Sequence, residues 1–237
     1  SSAASDVYKR QVIGTAHPGA SLARATAPLS VIGTTHLEPA FALGSANRYH
    51  FWNQSRPLVA YWGTRQAPRA LQLRCLHDFY DYSSAQLFSA QSSGCLLGGV
   101  NFATNYGDTH ISLDMVKDGT IRARDMRLRF ELFNMPEHWT HPDFRLGQAN
   151  TIDLGSVWLD LVIPYAIFGD WPVRSEVSRE GDRAFLDIVL YRGEERAINF
   201  AQMREAVILF GLCMRAKEGV QKPALDVRHE VAGDRLR

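Results

Sequence analysis

The chain contains little cysteine and no long apolar run, and each shortage excludes a class of protein. Its three cysteines, Cys75, Cys95 and Cys213, are widely spaced, which fits neither a disulfide framework nor a zinc site. Each lies in an apolar run, so we expect three small buried side chains, with one disulfide between neighbouring strands as the alternative. The longest apolar candidate, residues 206–214, is far shorter than the roughly 20 residues of a transmembrane helix. The sequence therefore predicts no membrane span.

The chain also lacks a surplus of charge of either sign. Lysine and arginine total 26, aspartate and glutamate total 25, and the formal net charge is +1. A general nucleic-acid-binding protein needs a basic surplus to neutralise phosphates, so we expect no nucleic-acid partner. A glycine-rich phosphate loop, a nucleophile elbow and a paired-cysteine metal site are also missing from the sequence. These absences argue against nucleotide-dependent enzymes and serine hydrolases.

Short alternating strands are the main feature that the sequence does contain. The segment MRLRFEL at residues 126–132 alternates apolar and charged side chains, as a strand with one buried and one wet face does. A period of two recurs at residues 58–62, 71–75, 157–163 and 186–191, although the second face of some of these segments also carries apolar side chains such as Val59 and Val189. With 237 residues, 46% of them hydrophobic, the chain can bury a substantial core. We therefore predict an all-β fold: an antiparallel β-sandwich of the jelly-roll or supersandwich kind with little helix.

Turn residues separate these predicted strands. The run CLLGGVNF at residues 95–102 predicts a more buried strand, in which Gly98 and Gly99 indicate a bulge or a close backbone approach. Tight connections are predicted at SSG (92–94), KDG (117–119), EGD (180–182) and RGEE (192–195).

Composition also suggests how the chain is divided. Residues 1–11, SSAASDVYKRQ, look like a translated sequencing-adapter remnant, so we expect a non-native leader there and a β-sandwich domain over residues 12–216. Residues 217–237 form a polar tail that we expect to fray. Residues 136–150 have little periodicity and predict a long loop or an interdomain linker, which makes them a candidate sub-boundary. Residues 201–215 fit either a helix or a buried closing strand, and the β surroundings favour the strand.

The first polar cluster, HDFYDY at residues 77–82, ends a predicted strand. A tyrosine and a histidine beside a carboxylate are a usual pair for proton abstraction, with one acting as base and the other as acid. The candidate catalytic residues here are His77, Tyr80 and Tyr82. The structural alternative is a histidine and an aspartate that cap a turn, followed by tyrosines on one face of an antiparallel sheet.

A second cluster, NYGDTHISLD at residues 105–114, places Asp108, His110 and Asp114 on a predicted loop. Asp108 and His110 are two residues apart, so on an extended segment their side chains point the same way. Together they could hold a divalent metal, zinc or calcium. The same residues also fit a turn in which Asp108 accepts backbone hydrogen bonds, or a catalytic role for His110.

A third cluster, NRYHFWNQSRP at residues 47–57, mixes aromatic rings with amide and guanidinium donors. Sugar rings offer an apolar face and a rim of hydroxyls, which suit such a surface. Arg56 or Asn53 could neutralise a uronate carboxylate. The alternative is a loop pinned against the sandwich by its aromatic side chains. The candidate substrate-binding residues are Tyr49, His50, Trp52, Asn53, Arg56, Tyr61 and Trp62.

With its all-β layout and the motifs FWNQSRP, HDFYDY and GDTHISLD, the chain resembles the C-terminal β-sandwich of heparinase II/III-like polysaccharide lyases. The resemblance covers residues 28–215. It implies a polysaccharide or oligosaccharide partner and a helical domain upstream, with a groove between the two domains for an acidic polysaccharide. A bacterial protein in the periplasm or outside the cell is the setting that we expect.

We therefore expect a carbohydrate-processing β-sandwich domain, part of a polysaccharide lyase that acts on uronate-containing glycans. Tyr80 or Tyr82 would act as the base in that reaction. His77 or His110 would act as the acid. The alternative is a non-catalytic sandwich that binds carbohydrate, or has a structural role, beside a separate catalytic domain. Convergence of the candidate catalytic side chains in one cleft favours the enzyme, and scatter over separate edges favours the binding domain.

Overall fold

The computed structural model of the chain describes residues 31–51, 56–82, 85–102, 120–217, 231–232 and 235–236. Most of these residues lie in antiparallel β-strands, and the helical content among them is a single 3-10 turn at Phe200–Gln202. The predicted all-β fold with little helix is confirmed. Within this part of the chain, no helix has the length and apolar character needed to cross a bilayer.

The strands follow one another along the chain, and we number them in that order. They are β1 (Gly33–Leu37), β2 (Phe41–Ala46), β3 (Arg48–His50), β4 (Leu58–Gly63), β5 (Pro68–His77), β6 (Tyr80–Asp81), β7 (Gln86–Ser92), β8 (Cys95–Asn101), β9 (Thr120–Phe133), β10 (Ala149–Asp153), β11 (Val157–Phe168), β12 (Arg174–Glu180), β13 (Arg183–Asn199), β14 (Ala206–Ala216), β15 (Val231–Ala232) and β16 (Arg235–Leu236). The strand β14 confirms the favoured interpretation of residues 201–215.

In the described part of the chain, two sheets make up the sandwich. The first has eight strands in the order β1-β2-β4-β5-β9-β13-β12, with β6 paired to β5. The second has six strands in the order β10-β11-β14-β8-β7-β3, while β15 and β16 pair only with each other. The chain passes from one sheet to the other several times, so each sheet contains strands from distant parts of the sequence.

The core lies between the inner faces of these sheets. Because side chains alternate along a strand, directly paired residues of neighbouring strands share a face. Leu73 of β5 pairs with Phe130 of β9, which pairs in turn with Leu186 of β13. All three are fully buried in one hydrophobic cluster with residues of the second sheet, such as Leu159 and Ile208.

The outer face of the first sheet differs from the wet face that the sequence predicts. Arg127 and Glu131 of β9 and Asp187 of β13 point away from the core, yet they are only 5%, 1% and 1% exposed. Neighbouring charged side chains cover them, because arginines and carboxylates alternate across adjacent strands of this face. The predicted alternation is confirmed there, but the predicted solvent exposure is wrong.

The turns agree with the sequence at two places and differ at a third. Hairpins close at residues 93–94 and 181–182, as SSG and EGD predict. RGEE at residues 192–195 does not end a strand, because β13 continues through it with a register shift between Arg192 and Arg196. KDG at residues 117–119 lies outside the described residues.

The cysteines do not all behave as small buried residues. Cys95 of β8 and Cys213 of β14 are direct cross-strand partners and form a disulfide, and Cys95 is exposed. The expectation of three buried thiols is therefore wrong for this pair. Cys75 is fully buried as a free thiol, and burial raises its pKa well above the ordinary value.

The aperiodic residues 136–150 connect the two sheets. They run from the end of β9 in the first sheet to β10 at the edge of the second. Phe144 of this segment enters the core, and Trp139 packs against it. The segment is thus a long crossover loop anchored by aromatic side chains.

Candidate functional site: an arginine cleft on the first sheet

The HDFYDY cluster forms the hairpin between β5 and β6. His77 pairs with Tyr80 across a turn whose two central residues, Asp78 and Phe79, have φ values of 46° and 72°. A left-handed backbone at both central positions is the geometry of a type I′ turn, which favours Asn-Gly. For a bulky residue such as phenylalanine, the left-handed backbone conformation is unfavourable by roughly 1–2 kcal/mol. The surrounding structure must therefore hold Phe79 in place.

Asp78 provides that support. Its Oδ1 accepts hydrogen bonds from the backbone N–H groups of Arg124 (2.8 Å) and Asp125 (2.7 Å), and its own N–H donates to the Asp125 carbonyl (2.8 Å). At this point the alternation of buried and exposed residues along β9 is interrupted. Ala123 and Met126 are both fully buried although they are an odd number of residues apart. Asp78 thus fixes the turn and the irregularity of β9 together, and leaves Phe79 71% exposed.

The candidate catalytic side chains occupy different environments. The Nε2 of His77 lies 2.6 Å from the Arg122 carbonyl oxygen, and its Nδ1 is buried without a hydrogen-bond partner among the described residues. Tyr80 is 72% exposed, whereas Tyr82 is 1% exposed and stacks on Phe200 with ring centroids 5.3 Å apart. The hairpin therefore brings His77 and Tyr80 together but leaves Tyr82 in the core. His110 lies outside the described residues, and the catalytic roles stay predictions.

Beside this hairpin, two buried carboxylates join three arginines into a continuous chain. Asp187 accepts two hydrogen bonds from Arg129, both at 2.8 Å, and one from Arg127 at 2.6 Å. Arg127 also binds Asp125, to which it donates from Nε at 2.6 Å, and Arg192 donates to the same carboxylate at 3.0 Å. The order Arg192–Asp125–Arg127–Asp187–Arg129 crosses β13 and β9, and each guanidinium is fixed by at least one carboxylate.

A second chain of ion pairs lies on the same face and contains Arg56. Asp81 is 2.9 Å from Arg74 and 4.0 Å from Arg56, and Arg74 reaches Glu131 at 2.8 Å. Arg56 also donates from Nε to Gln72 at 2.9 Å. The predicted binding residue Arg56 therefore belongs to an ion-pair chain on the first sheet.

An aromatic ring joins the two chains. The guanidinium carbon of Arg129 lies 3.9 Å from the ring centroid of Phe185, and that of Arg183, which pairs with Glu131, lies 5.9 Å from it. Phe79 likewise lies beside Arg127, at 5.8 Å. Cation–π contacts of this kind hold the planes of the guanidinium groups.

Burial and pairing keep the central groups charged. Burial alone would raise the pKa of Asp125, but hydrogen bonds from Arg127 and Arg192 outweigh it and lower that pKa below the ordinary value. Burial would lower the pKa of Arg127, and the neighbouring Asp125 and Asp187 raise it instead. Both shifts favour the charged forms of Asp125 and Arg127, which hold each other in place.

An open cleft of about 680 Å³ lies over this array. Phe79 and Phe185 contribute apolar surface to it, and four arginines, Arg124, Arg127, Arg129 and Arg192, contribute positive charge beside the carboxylates of Asp125 and Glu180. The Arg124 side chain is 71% exposed, and its carboxylate partner is the half-exposed Glu195 at 3.8 Å. The cleft can therefore offer guanidinium donors to an anionic ligand next to aromatic faces. We call it the arginine cleft.

The other predicted sugar-binding residues do not gather in one place. Tyr49 and His50 stack on each other at 4.5 Å on β3, at the edge of the second sheet. Tyr61 is 54% exposed on the first sheet, whereas Trp62 is buried and donates from Nε1 to the Leu154 carbonyl at 3.1 Å. Trp52 and Asn53 lie outside the described residues.

Asp108 and His110, the residues of the predicted metal site, also lie outside the described residues. Within the described ranges, no group of three or more histidine, cysteine, aspartate or glutamate residues could hold a metal ion. The zinc or calcium site stays a prediction.

Sequence reasoning missed the residues that build the arginine cleft. The alternation of MRLRFEL indicated a charged face, but nothing in it showed that Asp187, which lies 58 residues from Arg129, would bind that face. Comparisons with protein-family models, with curated proteins and with solved structures found no match. The site must therefore be interpreted from its own chemistry.

Proposed function

We propose that the chain is a β-sandwich domain that binds uronate-containing polysaccharides through the arginine cleft, as part of a carbohydrate-processing protein such as a polysaccharide lyase. The observation that carries this proposal is the row of fixed guanidinium groups beside the exposed ring of Phe79. Arginine pairs with carboxylates through planar, bidentate hydrogen bonds. The ring supplies an apolar surface for the face of a sugar.

The preorganisation of the arginines is a further argument for an anionic ligand. Each buried arginine is held by a carboxylate before any ligand arrives, so binding does not need to order these long side chains. The more exposed donors, Arg124 and Arg192, have side chains that are 71% and 41% exposed. Arg192 also pairs with the half-buried Glu176 at 2.8 Å, so a ligand carboxylate has to compete with that pair. These two arginines are therefore the groups that we expect to contact the ligand directly.

Isothermal titration with polygalacturonate tests the proposal, with neutral dextran as the ligand control. We expect the wild-type chain to bind polygalacturonate and not dextran, with an affinity that falls as salt screens the charges. Arg124→Gln and Arg192→Gln should each weaken binding by roughly fivefold to tenfold, since each removes a charge-assisted hydrogen bond. Phe79→Ala should weaken it by roughly threefold to tenfold through loss of the aromatic contact.

Matched variants control for general charge and surface effects. Arg65→Gln changes an exposed arginine in the turn between β4 and β5, and Phe88→Ala removes a 43% exposed ring on the second sheet. Both should bind polygalacturonate as the wild-type chain does. Equal losses in the control and cleft variants, or no binding of any uronate polymer, would overturn the proposal.

A lyase activity of the chain itself is the second candidate. It is supported by the direct cross-strand pairing of His77 with Tyr80, an arrangement that suits an acid and a base. Polygalacturonate, alginate and hyaluronan would be incubated with the chain, and the ultraviolet absorbance of unsaturated products followed. A signal that is lost in Tyr80→Phe supports this role. A flat absorbance trace together with measured binding would support a binding domain and argue against a lyase.

A further inference from the structure

A second cleft opens on the other side of the bulge in β13. It has a volume of about 670 Å³ and lies between the connection that follows β11, the end of β13 and the segment that precedes β14. Its chemistry is carried by Trp171, Arg196, Arg204, Asp170, Gln202 and Glu205. We call it the Trp171 cleft. None of these residues belongs to the arginine cleft or was singled out from the sequence.

Trp171 is a fixed aromatic surface in this cleft. Its ring contacts those of Phe168 and Tyr191, with centroids 5.6 and 5.2 Å apart, and its backbone N–H donates to the Phe168 carbonyl at 3.2 Å. The side chain nevertheless remains partly exposed. A half-buried indole held from behind is suited to stacking with the apolar face of a ring.

The polar groups around Trp171 offer both donors and acceptors. Arg196 and Arg204 are both exposed and line the cleft. Glu205 accepts a hydrogen bond from the Tyr165 hydroxyl. Burial and this carboxylate raise the pKa of Tyr165 to about 12, so the tyrosine remains a donor at neutral pH. The Arg196 guanidinium lies over the Tyr191 ring at 5.9 Å. The cleft therefore combines exposed guanidinium groups with carboxylate acceptors.

The geometry points to the Trp171 cleft as a second sugar subsite, in which a uronate ring stacks on Trp171 and its carboxylate pairs with Arg204 or Arg196. This inference rests on the proposed function, because the ligand is another part of the same polysaccharide. Arg192 lines the arginine cleft and Arg196 lines the Trp171 cleft. β13 bulges between these two residues, so its backbone there spans less than the roughly 13 Å of four extended residues, and one glycan chain can reach both clefts.

The inference is tested by titrating galacturonate oligomers of increasing length: digalacturonate, tetragalacturonate and octagalacturonate. A ligand that reaches both subsites should bind at least about tenfold more tightly than one that fills only the first. In Arg204→Gln and Trp171→Ala, octagalacturonate should bind roughly fivefold more weakly, while digalacturonate binding is unchanged. Trp171→Phe keeps a ring and should retain most of the affinity, and Arg65→Gln should match the wild-type chain.

The outcomes separate this inference from the proposed function. If Arg124→Gln weakens binding but Arg204→Gln and Trp171→Ala do not, at any length, the second subsite is refuted and the arginine cleft stands. If only Arg204→Gln and Trp171→Ala weaken binding, the Trp171 cleft is the site and the arginine cleft is refuted. If no oligomer binds, both are refuted. Thermal unfolding of each variant shows that a loss of affinity is not a loss of fold.

Discussion

Phe210 lies directly over Gly98, its cross-strand partner, in the interior of the second sheet. A Cβ atom at Gly98 would lie 2.6 Å from the Cε1 atom of the Phe210 ring, which is buried and also packs edge-on against Phe130 at 5.4 Å. CLLGGVNF predicts a bulge or a close backbone approach, whereas β8 pairs in regular register with both neighbours and the close approach at Gly98 is made by an aromatic ring. The absence of a Cβ atom at Gly98 therefore leaves room for the Phe210 ring, which contacts both sheets.

Gly98→Ala should consequently lower the free energy of unfolding by about 1–3 kcal/mol, the usual range for an overpacked core. Urea denaturation measures it. Gly44→Ala is the matched control, because a Cβ there would lie 3.5 Å from Val59 Cγ2, an ordinary contact distance. Equal stability of the two variants would contradict the explanation.

Strand β9 shows which properties of an element follow from its own sequence. Its alternation predicts a strand and identifies the buried set Met126, Leu128, Phe130 and Leu132, because side chains alternate with a period of two. The environment of the opposite set depends on the register with β5 and β13, which are distant in sequence. The hairpin at residues 93–94 was predictable because turn chemistry is local. The arginine cleft was not, because it requires pairing between distant strands.

The disulfide is a second property that depends on the pairing of elements. Cys95 of β8 and Cys213 of β14 are 118 residues apart and become neighbours only when the two strands pair. Disulfides are typical of proteins that fold in oxidising compartments. The expected periplasmic or secreted location stays a prediction, and this bond is compatible with it.

Removing the disulfide through Cys95→Ser and Cys213→Ser together should lower the free energy of unfolding by about 2–5 kcal/mol, since it closes a long loop. Urea denaturation with and without dithiothreitol measures the effect. The reductant should destabilise the wild-type chain and leave the double variant unchanged. A wild-type chain that is insensitive to the reductant would argue against the bond.

At the scale of the whole molecule, the first sheet carries its ionised groups as a layer opposite the hydrophobic core. The layer contains buried charges that compensate one another, so removing one member leaves its partners uncompensated. Arg127→Met removes an ion-pair partner from both Asp125 and Asp187. It should therefore lower the free energy of unfolding by about 3–5 kcal/mol. Arg122→Met, on the same strand, removes an arginine whose side chain is 76% exposed. It should lower the free energy of unfolding by less than about 1 kcal/mol. Chemical denaturation of the two variants distinguishes them.

Acid should weaken the same layer. The arginines that lower the pKa of Asp125 bind its ionised form, so the folded state holds that carboxylate below its unfolded pKa. This stabilisation is complete above the ordinary aspartate pKa of about 4, and it is lost as the pH falls through the lowered value. The melting temperature should therefore drop steeply below about pH 4, and Asp125→Asn should flatten that drop. An unchanged slope in the variant would assign the acid sensitivity to other groups.

The position of β14 has a consequence for how the molecule is made. In the second sheet, β14 lies between β11 and β8, and of the six strands described for that sheet it is synthesised last. Until residue 216 has left the ribosome, the ribbons β7–β8 and β10–β11 each present an open edge to other chains. A truncated message would therefore yield an aggregation-prone product rather than a smaller sandwich, and refolding should be slow for a chain of this length because its pairings are long-range.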